Sequence, residues 1–155
     1  QSILKQVMIN LRFVFDVLNP EKQTLNIVLN KINSEAEDML AAKNITLDFR
    51  NDLAPAREWK IDLTRIDKLY LAMKEVVGNV VKHSEATLTT IHISQQKKGI
   101  RVEITDNGKG FDVNKPHDGN GIGNLHRDAR AAVMDAQITS KPGEGTNVSL
   151  LLLEL

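Results

Sequence analysis

Glu75, Asn79 and Lys82 stand at i, i+4 and i+7 in one stretch of the chain. On an α-helix, at about 100° per residue, the three fall within roughly 60° of arc and share a face. A carboxylate, an amide oxygen and an ammonium on one surface suit a magnesium-bound phosphate. The amide oxygen is a hard ligand for Mg²⁺, the lysine neutralises phosphate charge, and the glutamate can orient or deprotonate a nucleophile. Helix composition alone favours a plainer reading, a solvated face with an i, i+4 pair. Gly78 weighs against that reading. A glycine inside a helix costs about 1 kcal/mol relative to alanine, so its place beside the polar trio suggests that something approaches the backbone closely.

Two further segments are rich in chemistry-bearing residues. Asp106-Asn107-Gly108-Lys109-Gly110-Phe111-Asp112 follows an alternating apolar run whose end would deliver Asp106 to a sheet edge, although a glycine-rich turn explains the same pattern. Gly119-Asn120-Gly121-Ile122-Gly123, just before a helical pattern, offers unhindered backbone N–H groups and a positive helix terminus for phosphate, against the alternative of a flexible linker. Neither Gly-x-x-x-x-Gly-Lys-Ser/Thr nor a Gly-x-Gly-x-x-Gly after a strand occurs, which excludes the familiar P-loop and dinucleotide folds. His83, His92, His117 and His126 lack metal-ligand spacing, and His117 stands where a calcium loop opened by Asp112 would need glycine. No serine pairs with a histidine and an acid in the manner of a nucleophilic triad.

The elements that must position these groups follow from periodicity. Residues 2–18 carry Leu4, Leu11 and Leu18 seven apart, with Val7, Met8, Val14 and Phe15 between them. That is either the seam of a helix that pairs with others or one amphipathic helix packed on its own domain. Asn19-Pro20 reads as an N-cap and first-turn proline opening a second helix through about Lys43, with Leu25, Val28, Leu29, Ile32, Met39 and Leu40 inward. A strand is expected at Ile45–Phe49, then a loop containing Pro55, then a central helix from Thr64 or Arg65 to about Ser84 that buries Ile66, Leu69, Tyr70, Met73, Val77 and Val80. Strands at about Leu88–Ser94 and Ile100–Thr105 are joined by a turn at Lys97-Lys98-Gly99. The loop from Asp106 to Gly123 holds Gly108, Gly110, Gly119, Gly121 and Gly123, and its length predicts a functional lid. A helix from Asn124 to about Met134, a strand near Gln137–Ser140, a turn at Pro142-Gly143-Glu144-Gly145 and a strand Thr146–Leu153 complete the pattern. Tight turns between consecutive strands predict an α+β fold, a two-layer α/β sandwich with a mixed, mainly antiparallel sheet and an N-terminal helical stub.

Composition sets bounds on partners. Twenty basic and twenty acidic residues cancel, so no overall field draws the protein to nucleic acid or an anionic membrane, and any anion must be bound locally. The absence of cysteine removes thiolate metal sites and disulfides and agrees with a reducing compartment. No apolar run approaches the roughly 20 residues of a membrane span. The chain starts at Gln1 inside an apolar periodic pattern, which suggests a fragment with further domains, including room for a membrane anchor, upstream.

Taken together, Lys74-Glu75-Val76-Val77-Gly78-Asn79-Val80-Val81-Lys82-His83-Ser84, the Asp106–Asp112 segment, Gly119–Gly123 and Gly143-Glu144-Gly145-Thr146 resemble, in order and spacing, the N, G1, G2 and final glycine boxes of the histidine-kinase-type ATPases. The Lys-His-Ser ending resembles sensor kinases that pair with nitrate- or lipid-responsive regulators. The resemblance implies a Bergerat-type ATP-binding fold at 20–155, preceded at 1–19 by the end of a dimerisation helix. It implies that Asp106 accepts a hydrogen bond from the adenine amino group, that Asn79 helps hold Mg²⁺ with the ATP phosphates, and that Glu75 is the catalytic acid/base. Gly108 and Gly110 would let the backbone approach the base beside Phe111. Gly121, Ile122 and Gly123 would cover the phosphates, Lys82 and His83 would touch them, and Thr146 would lie near adenine. The implied reaction is γ-phosphoryl transfer to a histidine in an upstream hairpin, absent here, for relay to a response-regulator aspartate. The implied protein is a homodimer with this domain in the cytoplasm and an anchor in the inner membrane. Relatives carry methionine before the first arginine of the helix after Gly123, where this chain has His126. An anti-sigma-type serine kinase and a nucleotide-binding regulatory domain without catalysis share the boxes. Topoisomerase, repair and chaperone ATPases typically end the first box in an acidic residue, where this chain has Lys82-His83.

Overall fold

The computed structural model describes residues 2–17, 24–115 and 134–154. Helix α1 (Ile3–Val17) and helix α2 (Thr24–Ala41) precede strand β1 (Thr46–Asn51) and helix α3 (Leu63–Asn79). A π-helical turn, Val80–Ser84, continues α3, and the strands β2 (Leu88–Gln96), β3 (Gly99–Asp106), β4 (Met134–Ser140) and β5 (Thr146–Leu153) follow. The five strands form one sheet in the order β1-β2-β3-β5-β4. Only β1 and β2 run parallel; the other pairs are antiparallel. The mixed, mainly antiparallel sandwich expected from the sequence is therefore the fold observed.

Alternation decides which sheet face meets the helices. Ile91, Ile104, Val148 and Ile138 are register partners across four strands, and Ile93, Val102, Leu150 and Ala136 form the next row. These side chains pack with Leu25, Val28, Leu29 and Ile32 of α2 and with Ile66, Leu69, Met73 and Val77 of α3 in one core. The opposite face carries Thr90, His92, Arg101, Glu103, Asn147 and Gln137, none of them buried. There His92 Nε2 lies 2.7 Å from Asp52 Oδ2, and Arg101 donates to Ser149 Oγ at 2.7 Å. One apolar and one polar face is the pattern of an antiparallel sheet covered by helices on one side.

The ends of the elements differ from the sequence expectation where side chains cap them. Asp62 is the N-cap of α3 and accepts from the Arg65 backbone N–H at 2.9 Å, which starts the helix at Leu63. The buried Arg65 guanidinium donates to the Leu153 carbonyl and so ties α3 to the end of β5. Glu154 accepts from Arg57 and from the Lys60 N–H, each at 2.8 Å, and holds the loop after β1 against the C-terminal strand. Met134 opens β4 instead of closing a helix. It pairs with Leu152 and is buried, while Asp135 and Gln137 are exposed, a period-2 pattern that a single apolar residue after a helical run disguised. Asn19-Pro20, the lid glycines Gly119, Gly121 and Gly123, His117, His126 and the helix expected after Gly123 lie outside the described residues.

A buried carboxylate joins the three helices. Glu35 of α2 accepts from Tyr70 Oη at 2.6 Å and from Gln6 Nε2 of α1 at 3.4 Å, and Lys74 Nζ lies 3.4 Å away. Burial pushes the Tyr70 phenol well above its ordinary value, and the hydrogen bond to Glu35 adds to the shift. By contrast Ile3, Leu4, Met8, Leu11 and Val14 of α1 are exposed, so the seam of this helix does not pack on its own domain. Leu69, fully buried between the layers, sets the scale of the core. Leu69→Ala is expected to cost about 2–5 kcal/mol in urea unfolding, whereas a loss below about 1 kcal/mol would contradict this account of the core.

Candidate nucleotide site

The polar residues of the site gather where the core-facing side of the sheet ends. Thr89 of β2, Asp106 of β3, Thr146 of β5 and Ser140 of β4 are successive register partners, so four polar side chains form one row beside the isoleucine and valine row. Asp106, Ser140 and Thr89 are buried and Thr146 is half-buried. Ser140 Oγ accepts from the Phe111 N–H at 2.9 Å, donates to the Gly145 carbonyl at 2.8 Å and lies 2.9 Å from Thr146 Oγ1. A serine hydroxyl has one proton. If that proton goes to Gly145, Thr146 donates to Ser140 and keeps its lone pairs for a ligand.

Asp106 Oδ1 accepts from the Gly108 N–H at 2.8 Å. Burial pushes its carboxyl above the ordinary carboxylate range, while the backbone N–H groups of Gly108 and Thr146 pull the other way. A half-desolvated carboxylate is a strong hydrogen-bond acceptor.

The glycines of this loop are required by the protein's own packing. A Cβ on Gly108 would lie 2.1 Å from the Ser84 carbonyl oxygen, which already accepts from the Lys109 N–H at 2.7 Å. Gly110 has φ +61° and its Cβ would lie 2.1 Å from the Lys141 carbonyl oxygen. The loop is thus sewn on one side to the end of the π turn and on the other to the β4–β5 turn. Asn107 completes the seam, its Oδ1 accepting from the Thr87 and Leu88 N–H groups at 2.9 and 3.0 Å.

Glu75 and Asn79 are half-buried on α3 and Asn79 is its last α-helical residue. Lys82 and His83 are exposed in the π turn. The uninterrupted α-helical spacing expected for Glu75, Asn79 and Lys82 therefore runs only as far as Asn79. Bonding i→i+5 fits more residues into a turn and takes Lys82 out of the 100° register. The turn ends on Ser84, whose Oγ donates to the Val80 carbonyl at 2.6 Å and accepts from the Ala86 N–H, and on Glu85 at φ 55°, a left-handed conformation unusual for a glutamate. Among the described residues nothing comes within 4 Å of a Cβ placed on Gly78, so no described protein atom makes the close approach that this glycine suggested. Gly121, Ile122 and Gly123 lie outside the described residues.

The sequence names Asp106, Thr146, Gly108, Gly110 and Phe111, and the fold brings these together at one end of the strands, with the loop held to Ser84 at the end of the π turn that follows Asn79. Sequence reading missed Ser140, Asn107 and Thr89. Asn107 stood inside the recognised box, and an asparagine before glycine is a signal for side-chain to backbone bonding. Ser140 and Thr89 carried no signal, because only strand register puts them beside Thr146 and Asp106.

Among the described residues no helix is long and apolar enough to cross a membrane, and no group of three His, Cys, Asp or Glu side chains could hold a metal by itself.

Asp106 makes a testable linkage. Its folded carboxyl lies above the unfolded one, so its contribution to stability is complete below the unfolded value of about 4 and is lost as pH rises through the folded value. Asp106→Asn removes this titration. The stability of the native chain minus that of the variant, from urea curves at successive pH values, is expected to fall across that window and level off above it; a difference that rises with pH would reverse the assignment.

Comparison with known proteins agrees with this fold. The chain is 26% identical over 137 residues to "Sensor histidine kinase LiaS" of Bacillus subtilis, a match that covers 84% of this chain and 38% of that protein. It is 30% identical over 94 residues to "Sensor protein VraS" of Staphylococcus saprophyticus, covering 60% of this chain and 27% of that protein. The chain thus spans well under half the length of these curated relatives. The fold superposes on full-length ShkA, solved in complex with AMPPNP, with a TM-score of 0.67 at 18% identity, covering 82% of this chain and 29% of ShkA. Residues 64–155, more than half of the chain, match the Histidine kinase-, DNA gyrase B-, and HSP90-like ATPases, and the chain belongs to that family.

Proposed function

We propose that this chain is the ATP-binding catalytic domain of a two-component sensor histidine kinase, with the C-terminal part of a dimerisation helix at 1–19 and the catalytic domain at 20–155. The observation that carries the reading is the row Thr89, Asp106, Thr146 and Ser140, four polar side chains at the edge of an apolar core, whose loop is bonded to the π turn that continues the helix of half-buried Glu75 and Asn79. Buried polar groups at a pocket floor beside an acid and an amide suit a nucleotide held by its base at one end and its phosphates at the other.

Asp106 accepts the hydrogen bond of the adenine amino group, and Thr146 offers the lone pairs left free by its bond to Ser140. Phe111, whose N–H is fixed by Ser140, and the loop glycines Gly108 and Gly110 form the wall beside the base. Asn79 supplies one amide oxygen toward Mg²⁺, a suitable share because this ion keeps phosphate and water ligands and needs few from the protein. Lys82 and His83, exposed on the π turn, meet phosphate charge, and Gly121, Ile122 and Gly123 cover it. ATP with Mg²⁺ supplies, when bound, the γ-phosphoryl group and the ion that offsets its charge. Glu75 orients the incoming imidazole through its N–H and takes up the proton that is released.

The acceptor histidine belongs to a hairpin upstream of α1. The exposed seam Leu4, Met8, Leu11 and Val14 supports such a partner, since an unpartnered apolar stripe of this kind is the face a helical bundle covers. The whole protein is then a homodimer that passes phosphate to a response-regulator aspartate, with this domain in the cytoplasm and an upstream anchor in the inner membrane. The LiaS and VraS matches support the sensor-kinase assignment over the other members of the family.

Supplied with Mg-ATP and a separate helical hairpin bearing the acceptor histidine, the chain is expected to place acid-labile, base-stable phosphate on the hairpin. Glu75→Ala should keep ATP affinity and lower transfer by about 10²–10⁴-fold. Asp106→Ala should weaken ATP binding about tenfold or more, measured by titration calorimetry. Label on serine would replace this reading with a serine kinase, and ATP binding without label on either would replace it with a regulatory nucleotide domain.

A further inference from the structure

Thr89 is fully buried, and its Oγ1 has no hydrogen-bond partner among the described residues. It stands directly across from Asp106 in the β2–β3 ladder and on the same face of the sheet. The other members of the row are all engaged: Asp106 with Gly108, and Ser140 with Phe111, Gly145 and Thr146. Valine has nearly the same shape as threonine and would suit the apolar neighbourhood of Ile91, so the hydroxyl is the feature to be explained. A buried hydroxyl without a partner costs about 1–3 kcal/mol, and native structures satisfy such groups with water or a ligand. Its register partner, the Asp106 carboxylate, is a strong acceptor with capacity to spare, having about four lone-pair sites against the backbone N–H groups of Gly108 and Thr146.

We infer that Thr89 is a positioning residue for base recognition: its hydroxyl shares a buried water with Asp106 and holds that carboxylate in the orientation that meets the base. The site then reads the base through a pair of adjacent strands, one supplying the acceptor and the other fixing it. This rests on the assignment of Asp106 as the adenine acceptor.

Titration calorimetry with Mg-ATP on the folded chain tests it. Thr89→Val is expected to weaken ATP binding about fivefold, the size of one net hydrogen bond, with no loss of stability toward urea. Thr89→Ser, which keeps the hydroxyl, should restore most of the affinity. In the Asp106→Asn background the effect of Thr89→Val should shrink to less than twofold, because a positioning residue acts only through the group it positions. Unchanged ATP affinity in Thr89→Val while Asp106→Ala loses binding would overturn this inference alone. Unchanged affinity in Asp106→Ala would overturn the pocket assignment and this inference with it. Equal losses for the valine and serine variants would also overturn it, since packing and not the hydroxyl would then be responsible.

Discussion

The site depends on a single row of register partners in which the apolar face of the sheet turns polar. From Ile91, Ile104, Val148 and Ile138, one step along the strands reaches Thr89, Asp106, Thr146 and Ser140. Buried polar atoms are tolerated only when they are hydrogen-bonded, so this edge forces the surrounding chain to supply donors and acceptors. The loop after β3 does so with the Gly108 and Phe111 N–H groups, and the β4–β5 turn with the Gly145 carbonyl. What the protein leaves over at this edge is acceptor capacity, on the Asp106 carboxylate and on Thr146, and that is what an amino-bearing base needs.

The same loop is bound to the helix that carries the acid. Gly108 sits against the Ser84 carbonyl, which takes the Lys109 N–H, and Asn107 reaches back to Thr87 and Leu88. The π turn between Asn79 and Ser84 is therefore fixed at its far end by the loop that follows Asp106. The Asp106 loop and the end of the Glu75 helix are thus linked through backbone bonds that a bulkier side chain at Gly108 would break. Along the same helix, Tyr70 and Lys74 meet Glu35, and Glu35 meets Gln6 of α1. The contact that leads through Glu35 to the N-terminal helix thus starts one residue before Glu75.

Much of this was legible in the sequence because it rests on period and spacing. The layers, the central helix and the β2–β3 and β4–β5 turns follow from alternation and from Gly and Lys-Lys-Gly punctuation, and the boxes around Glu75, Asp106 and Thr146 were visible as motifs. Three features were not. The π turn was hidden because Val80–Ser84 reads as more of the same helix; its cause is the Ser84 hydroxyl and the loop bonds behind it. Met134 read as helical because one apolar residue cannot distinguish a period of 3.6 from a period of 2. Thr89 and Ser140 were silent, since their importance comes from which strands lie next to β3 and β5, a tertiary fact with no local signature.

The central claim is that a nucleotide base docks on the polar row and its phosphates face the end of α3. Backbone amide shifts of the isotopically labelled chain, followed by NMR as Mg-ATP is added, test this most directly. The account predicts saturable changes at Asp106, Gly108, Phe111 and Thr146 together with Asn79 and Lys82, and none at His92, Glu103 or Gln137 on the opposite sheet face. Changes confined to that opposite face, or an undisturbed Asp106–Gly108 segment at saturating nucleotide, would contradict it.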